Sequence, residues 1–484
     1  MGLKLNQEKL GSDLADIVGN NRVSTELYER RLYEHDLAPL PTEIRFIFKT
    51  TPDVVVKPKN TTEISEIIKY ANKNCIPVIP RGTSSWGFGG TIPTKGGIVL
   101  EVNNLREIKD LDTEKMTVTV GAGVRWSKLL DYLEEKGCTF PVYPSSAPSG
   151  TVGGWMATGG LGIGSLKYGP LMDLTNSITV VTPLGDIRNL NRDDGEDFKK
   201  YFHSEGTLGI ITVTNLKIMI KPERIHPLLT SFSDYDALTG VIEKSMKGPA
   251  LPFFVEIQDR EYLDIKRSIG MHASNAQVIC LFVYEGTELE VAECEKYLKP
   301  LISKVGGVLL PQEDAEEAWE ERFYYMRIKK AGPTLLAGEV TFPLPKLGFV
   351  VEETWKVKEK HNLKLGIKAF MVAPDTVLFM PMFLSDERRR WKYLSTLPII
   401  NEITHIGFKA GGRPYGFGIW NAFFLKRVYG SEKVREMKER KKREDPNNIM
   451  NPGKLYKITT RYGIPLWGTA FKIITSLLGI LKYF

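Results

Sequence analysis

PSSAPSGTVGGWMATGGLGIGSLKYG, residues 144–169, holds eight glycines and four serines in twenty-six residues, with Lys167 its one charged side chain. A linker this rich in glycine is ordinarily polar and flexible. Here Val152, Trp155, Met156, Leu161, Ile163, Leu166 and Tyr168 are interleaved with the glycines. Such a segment suits burial, with its backbone brought close to something that a Cβ atom would push away. Amides in successive turn conformations form concavities that bind anions, so a phosphate-bearing cofactor is the natural occupant.

Upstream, Ile76–Gly90 reads IPVIPRGTSSWGFGG: an apolar strand, a Pro-Arg-Gly turn, then hydroxyls and glycines. Neither stretch is a G-x-G-x-x-G opening a helix, and neither has the G-K-[ST] ending of a P-loop, so the ordinary dinucleotide fold and the nucleotide hydrolases fit poorly. The pair could hold the two ends of one pyrophosphate from opposite sides. Taken singly, each is equally a glycine-rich turn of a β-rich domain.

The chain of 484 residues is too long for one ordinary core, which implies two domains. Hydrophobic content of 42% and charged content of 25% are those of a soluble globular protein. The net charge of +7 is spread along the chain, and the basic run Lys438–Arg443 is interrupted by Glu439, so nucleic acid is not an expected partner. Cys75, Cys138, Cys280 and Cys294 lie far apart with no C-x-x-C, which argues for free thiols in a reducing compartment and against an iron–sulfur cluster. The N-terminus is charged and lacks an apolar core, so it is not read as a signal peptide, and a cytoplasmic location is expected.

Taken in order, an amphipathic helix and a connector fill residues 1–45. DVVVK (53–57) reads as strand, TTEISEIIKYANKN as a helix with a Thr cap, and Ile76–Ile79 as strand into the first glycine loop. GIVLEV (97–102) and MTVTVGAGV (116–124) are further strands, and Trp126–Lys136 is a helix. SITVVTPLGDIRNL is a hairpin on Pro-Leu-Gly-Asp, and EGTLGIITVTNLKIMI (205–220) is a glycine turn heading a long strand.

PRGTSS-x-G, TVGG-x-x-ATGG, KYG, VVTPLGD, EGTLGIIT and DPNNIMNPGKLY (445–456) together resemble the FAD-linked oxidase superfamily, which includes vanillyl-alcohol oxidase, p-cresol methylhydroxylase, D-lactate and glycolate dehydrogenases and alkyl-dihydroxyacetonephosphate synthase. The similarity is strong over 46–222 and 440–456 and weak over 223–420. It implies an α+β protein: a two-subdomain FAD-binding lobe plus a cap domain with an antiparallel sheet flanked by helices. The divisions expected are 1–222 for the FAD domain (core 46–222), 223–411 for the cap, 412–460 for a segment returning to the FAD domain and 461–484 for a tail. By resemblance, Pro80, Arg81, Gly82, Thr83, Ser84, Ser85 and Gly87 would line one side of the cofactor. Pro144, Ser146, Gly150, Thr151, Gly153, Gly154, Ala157, Thr158, Gly160 and Tyr168 would line the other. Glu205, Gly206, Gly209, Ile210 and Ile211 would meet the adenosine and ring portions. Some relatives tether FAD through a histidine in the first loop. Here no histidine falls between His35 and His203, so non-covalent FAD is expected, with His361 and His405 the candidates for a tether from the cap.

From Ile225 to Gly411, FFVEIQD, AQVICLFVYEG and TVLFMPMFL read as strands and DAEEAWEERFYYMRIKK as one helix. The family's 2-hydroxy-acid dehydrogenases place a W-x-x-R on this helix, its arginine holding a substrate carboxylate. Trp319-Glu-Glu-Arg322 matches in form, with Arg327 an equal rival; a structural arginine is the alternative. The family's metal-binding His-x-Gly-Asp-Gly-Asn is missing, and Gly412-Arg-Pro-Tyr415-Gly-Phe-Gly418 stands where Gly-Glu-His-Gly-Ile-Gly would be, so no metal is expected. Oxidising an alcohol by hydride transfer to flavin N5 requires a base within hydrogen-bond reach of the hydroxyl. Tyr415 and His405 are the candidates, each with a structural alternative.

These readings lead to FAD-dependent oxidation of a small hydroxy compound, a 2-hydroxy acid by resemblance, with electrons passed to a carrier protein or quinone. The alternatives are a flavin transferase resembling alkyl-glycerone-phosphate synthase, and the flavin subunit of a larger redox complex; a homo-oligomer is the other expected assembly. Drawn as a helix from Pro465, the tail segregates Trp467, Phe471, Ile474, Leu478 and Leu481 from Lys472, Thr475, Ser476 and Lys482. That pattern suits a helix lying on a membrane surface, the inner face of the cell membrane, or docking on protein.

Overall fold

The computed structural model describes residues 7–37 and 44–466. The amphipathic tail lies outside the described residues from Trp467 onward. Three sheets carry the architecture. In the first, Val54–Val56, Ile98–Glu101 and Val78–Arg81 run parallel, with Val23–Ser24 antiparallel on one edge. Thr61–Lys73 forms the expected helix and buries Ile64, Ile67, Ile68 and Ala71 against this sheet's core. Its cap sits one residue earlier than the sequence suggests. Asn60, not Thr61, accepts from the Glu63 amide at 2.8 Å, the stronger of two adjacent capping side chains.

The second sheet is antiparallel, in the order Ile108–Asp112, Thr117–Gly121, Ile210–Lys217, Thr175–Val181, Ile187–Asn191. Alternation in Thr117–Gly121 puts Val118 and Val120 inside, and the Pro-Leu-Gly-Asp turn closes the expected hairpin.

The third sheet has nine antiparallel strands, with Arg224–Phe232, Val278–Gly286, Phe254–Asp259, Leu365–Ala373 and Thr376–Ser385 at its centre. Val340–Pro343 and Arg413–Pro414 extend one side. Both faces are covered, which is why these strands read as continuous apolar runs. Along Leu365–Ala373, Ile367, Ala369 and Met371 join a core built with the helices Tyr235–Ser245, Glu288–Lys304, Leu347–His361 and Arg390–Lys409. Phe370 and Val372 point the other way, into the core that contains the second glycine loop.

The single helix expected over DAEEAWEERFYYMRIKK does not form. Gln312–Glu320 is α-helical, then the chain tightens into 3-10 turns at Glu321–Phe323 and Tyr325–Ala331. Tertiary contacts override propensity here: Lys266 binds Glu321 at 2.6 Å, and Ile328 is buried with Tyr262, Ile265 and Met382.

The C-terminal segment returns to the first sheet. Val78 donates to Ile449 O and accepts from the Asn451 amide, both at 2.8 Å, so the return pairs directly beside the first glycine loop. Asp445, fully buried, accepts from the amides of Ile449 and Met450, each at 2.9 Å, and from Lys441 Nζ. Removing this carboxylate leaves a buried ammonium and two donors without an acceptor. Asp445→Ala is therefore expected to cost about 3 kcal/mol, read as a lowered urea midpoint with an unchanged slope.

Candidate active site

The two glycine loops meet. A β-carbon on Gly82 would lie 2.5 Å from Thr151 Oγ1, and one on Gly153 would lie 2.6 Å from Ala122 Cβ. Thr151 is held there because its hydroxyl accepts from the Gly154 amide at the start of the short helix Val152–Ala157. In the first loop, Ser84 takes φ +55, and the amides of Gly82, Thr83, Ser84 and Ser85 find no acceptor among the described residues. Four free donors on a loop with so little side-chain bulk make an anion cradle that fits a diphosphate.

Between the loops and the cap sheet lies a cavity with about 1370 Å³ of empty space, part of it open to solvent. Of the residues expected at the cofactor, all but Gly87, Gly160 and Tyr168 line it. Gly87 lines an adjoining chamber instead. Gly160 packs on Leu171, and Tyr168 donates to Glu285 of the cap at 2.5 Å. Arg81 lines the cavity, but its guanidinium is spent inward, donating to His35 O at 2.9 Å and lying over the Tyr33 ring.

Glu205 has φ +51, and its carboxylate turns away toward the C-terminal turn, accepting from the amides of Phe417 and Gly418 at 2.9 and 2.8 Å. Burial pushes this carboxyl up, and the two amides and Lys454 work against that push. Lys454 is itself pushed down by burial. Glu205 O accepts from Asn451 Nδ2 at 2.7 Å, which ties the return segment to the cavity wall.

At the cap end, Tyr325, Glu339, Phe370, Leu378, Met380 and Tyr415 close the cavity. Phe370 and Leu378 are register partners on neighbouring strands, so they share the inward face with Met380. Glu339 is the charged side chain of this group. It is half-buried on the cavity wall, accepts from Trp86 Nε1 at 2.9 Å, and burial pushes its carboxyl up to about 7. The hydroxyls of Tyr325 and Tyr415 are raised by burial first, and the nearby Glu339 charge adds to both. Tyr415 reaches across to the second loop, where its hydroxyl accepts from the Leu161 amide at 3.2 Å. Trp86 reaches Glu339 only because residue 416 is glycine: a β-carbon there would lie 2.2 Å from the indole.

Tyr415 thus stands where the sequence suggests, and the other catalytic candidates do not line the cavity. His405 sits on Arg390–Lys409 against the Phe424 ring, 5.1 Å between centroids, beside Arg427. Arg322 has left the helix for the 3-10 turn and stacks on Trp319 and Phe323 at 4.1 and 4.3 Å, donating to Trp319 O at 2.8 Å. Arg327 lies over Tyr324 on the surface. His361 pairs with Glu402 at 3.0 Å. Glu339, Tyr325 and Trp86 were not singled out from sequence. The available signal for Glu339 is one acid within the apolar run LLAGEVTFPLP. Among the described residues, no histidine or cysteine lines the cavity, and no group of His, Cys, Asp and Glu is arranged to hold a metal.

Comparison with known proteins agrees with this geometry. Residues 52–191 match the family described as FAD binding domain, and 221–455 match the FAD linked oxidases, C-terminal domain. Glycolate oxidase subunit GlcD of Bacillus subtilis (strain 168) is 29% identical over 445 residues, 88% of this chain and 92% of its own length. The mitochondrial D-lactate dehydrogenase [cytochrome] of Arabidopsis thaliana is 28% identical, covering 84% of this chain and 73% of its own. Among solved structures, p-cresol methylhydroxylase with substrate bound superposes with a TM-score of 0.80 at 17% identity, over 95% of this chain and 98% of that one. The last shows a shared fold.

The cradle can be tested on its own. Gly82→Ala pushes the first loop off Thr151, and its affinity for FAD, titrated calorimetrically into stripped protein, is expected to fall at least about tenfold.

Proposed function

The chain belongs to the FAD-linked oxidases, and from that membership we propose that it oxidises the carbinol carbon of a hydroxy compound with Glu339 as the base. Bound FAD supplies the acceptor for the two electrons that leave the carbon. The loops around Gly82 and Thr151 would hold its diphosphate, without a covalent tether, since the histidines considered for one lie elsewhere. The observation that carries the reading is a carboxylate among the apolar and aromatic walls at the cap end of the cavity, bonded to Trp86 of the first glycine loop.

A base works best with a pKa near the operating pH, and burial brings Glu339 to about 7. Glu339 takes the hydroxyl proton as the carbon is oxidised; the Trp86 indole fixes which carboxylate oxygen is turned away from the substrate. Tyr325 and Tyr415 stay protonated and can donate to the substrate oxygen. The aromatic and methionine walls exclude water, which strengthens these contacts.

Glycolate and D-lactate, named in the relatives above, are the first compounds to try, and the fold division at about residues 222 and 411 is proposed with the reading. Electrons then pass to a carrier protein or to quinone. A membrane-surface location is supported by exposed apolar side chains beside the tail's exit: Phe46, Tyr462 and Ile464 are 77, 72 and 60% exposed, and Arg461 N donates to Ile47 O at 2.7 Å. Among the described residues no helix is long and apolar enough to cross a membrane.

Glu339→Gln should retain flavin and lose about 10²–10⁴ in kcat/KM with an artificial dye acceptor. In the parent protein kcat/KM should rise as pH increases through about 7, because the base must be ionised, and the variant should lack that rise. The sign for stability is opposite. The raised carboxyl favours the fold when protonated, and that contribution is lost as pH rises through about 7. Glu339→Gln should therefore melt at a higher temperature than the parent at pH 8. For the membrane reading, sedimentation with anionic vesicles should be lost when residues 467–484 are deleted.

A further inference from the structure

Around Trp86 and Tyr325 the main cavity adjoins a second, smaller chamber with about 560 Å³ of empty space, part of it open to solvent. The two share Ser85, Trp86, Tyr325, Glu339 and Met380 as walls. Past those shared walls the chamber is bounded by Phe88, Met326, Leu335, Leu336, Ala337, Met382 and Ile400, and among the described residues its one ionisable group apart from the tyrosine is Glu339. Three methionines, Met326, Met380 and Met382, give it walls that can shift to admit chains of different width. Leu37, also on its wall, is 37% exposed. Apolar walls of this kind are covered favourably by hydrocarbon.

The charges around the main cavity point the same way. Arg81 is turned inward onto His35 O and the Tyr33 ring, and Arg322 is stacked between Trp319 and Phe323 outside the cavity. Lys368, buried on the same cap face as Met380, is neutralised by Glu256 at 2.9 Å. Among the described residues, the walls shared by the two chambers present to a substrate one acid, one phenol, a serine, an indole and a methionine.

We propose that the side chamber is a substrate subsite for a hydrocarbon tail: the hydroxy compound oxidised here carries an aliphatic chain, its hydroxyl at Glu339 and its tail beyond Trp86. The inference rests on the oxidoreductase reading above and adds the class of substrate. It differs from a site for lactate or glycolate, whose carbon chains end before the chamber begins.

The test is a homologous series, both straight-chain primary alcohols and straight-chain 2-hydroxy acids, assayed on the flavin-loaded full chain with a dye acceptor. kcat/KM is expected to rise about fourfold per added methylene until the chamber is full. Ala337→Phe and Met326→Trp, both at residues lining the chamber, are each expected to cut kcat/KM for the longest good substrate at least about tenfold while leaving the shortest within about twofold. Two variants are used so that one misfolded protein does not decide the matter; flavin content and melting temperature identify it. Short compounds that reduce the flavin with no gain from added methylenes would overturn the chamber's role and leave the oxidoreductase reading standing. A chain-length gain that survives both folded variants would overturn it as well, by putting the tail elsewhere. Flavin-loaded protein reduced by no member of either series would sink the oxidoreductase reading, and the inference with it.

Discussion

The contact between Gly82 and the Thr151 hydroxyl sets the frame on which the rest of the protein is built. It forces the loop leaving a parallel sheet and the loop leaving an antiparallel one to within van der Waals distance. Gly206, at φ +70 with no room for a β-carbon beside Pro80, does the same at the next wall. Each close approach brings peptide groups, not side chains, to the surface of the cavity. A diphosphate binds where amides are free, and amides are free where neither helix nor sheet can use them. The glycines are needed for proximity as much as for conformational freedom.

The cradle and the proposed base are parts of one linked structure. Trp86 belongs to the first glycine loop, yet its indole bonds Glu339 at the edge of the cap sheet and rests on Gly416 in the C-terminal turn. That turn is held in place by Glu205, which receives the amides of Phe417 and Gly418 from a left-handed backbone position. Asn451 then bonds Glu205 O and Gly90 O, joining the return segment to the first glycine loop and to the glycine turn that begins at Glu205. Three regions remote in sequence therefore share a few hydrogen bonds around the cavity. A cap moving away from the lobe would break the Trp86–Glu339 bond, so this contact reports whether the site is closed.

Local pattern was a good guide wherever a residue's role is decided by its neighbours in sequence. The helix Thr61–Lys73, the hairpin after Thr175 and both glycine loops were legible because periodicity, turn chemistry and missing β-carbons are local properties. Even there the cap fell on Asn60, since two adjacent residues could each have served. Arg322 was misleading: W-x-x-R presumes a continuous helix, and the chain leaves α-helical geometry at Glu321 once Tyr325 and Ile328 find partners in the cap. His405 was a candidate base beside Tyr415, but the helix Arg390–Lys409 turns its ring to Phe424. Glu339 could not be read at all. Its meaning comes from Trp86, 253 positions earlier, and one acid between two apolar strands has no local signature of function.

The energetics of buried acids separate Glu339 from acids that serve the fold. Asp259 is more deeply buried and burial pushes it up to about 6, but it receives the amides of Tyr262 and Ile367 at 2.8 Å and the Trp355 indole at 3.4 Å. Those donors start a helix and fix a strand, so its burial stabilises the structure that hides it. Glu256 is matched by Lys368, and Asp445 by Lys441. Glu339 has the Trp86 indole, no cation within ion-pair distance among the described residues, and a cavity on its other side. A protein gains no stability from a carboxylate held in that way, because its ionised form is poorly solvated and its neutral form wastes a hydrogen-bonding site. Such a group persists where strain or poor solvation is useful, and an acid kept near neutrality beside a cofactor cradle is useful as a proton acceptor. The same poor solvation explains why the neighbouring chamber can be so apolar: nothing polar is needed there to satisfy Glu339 until a hydroxyl arrives.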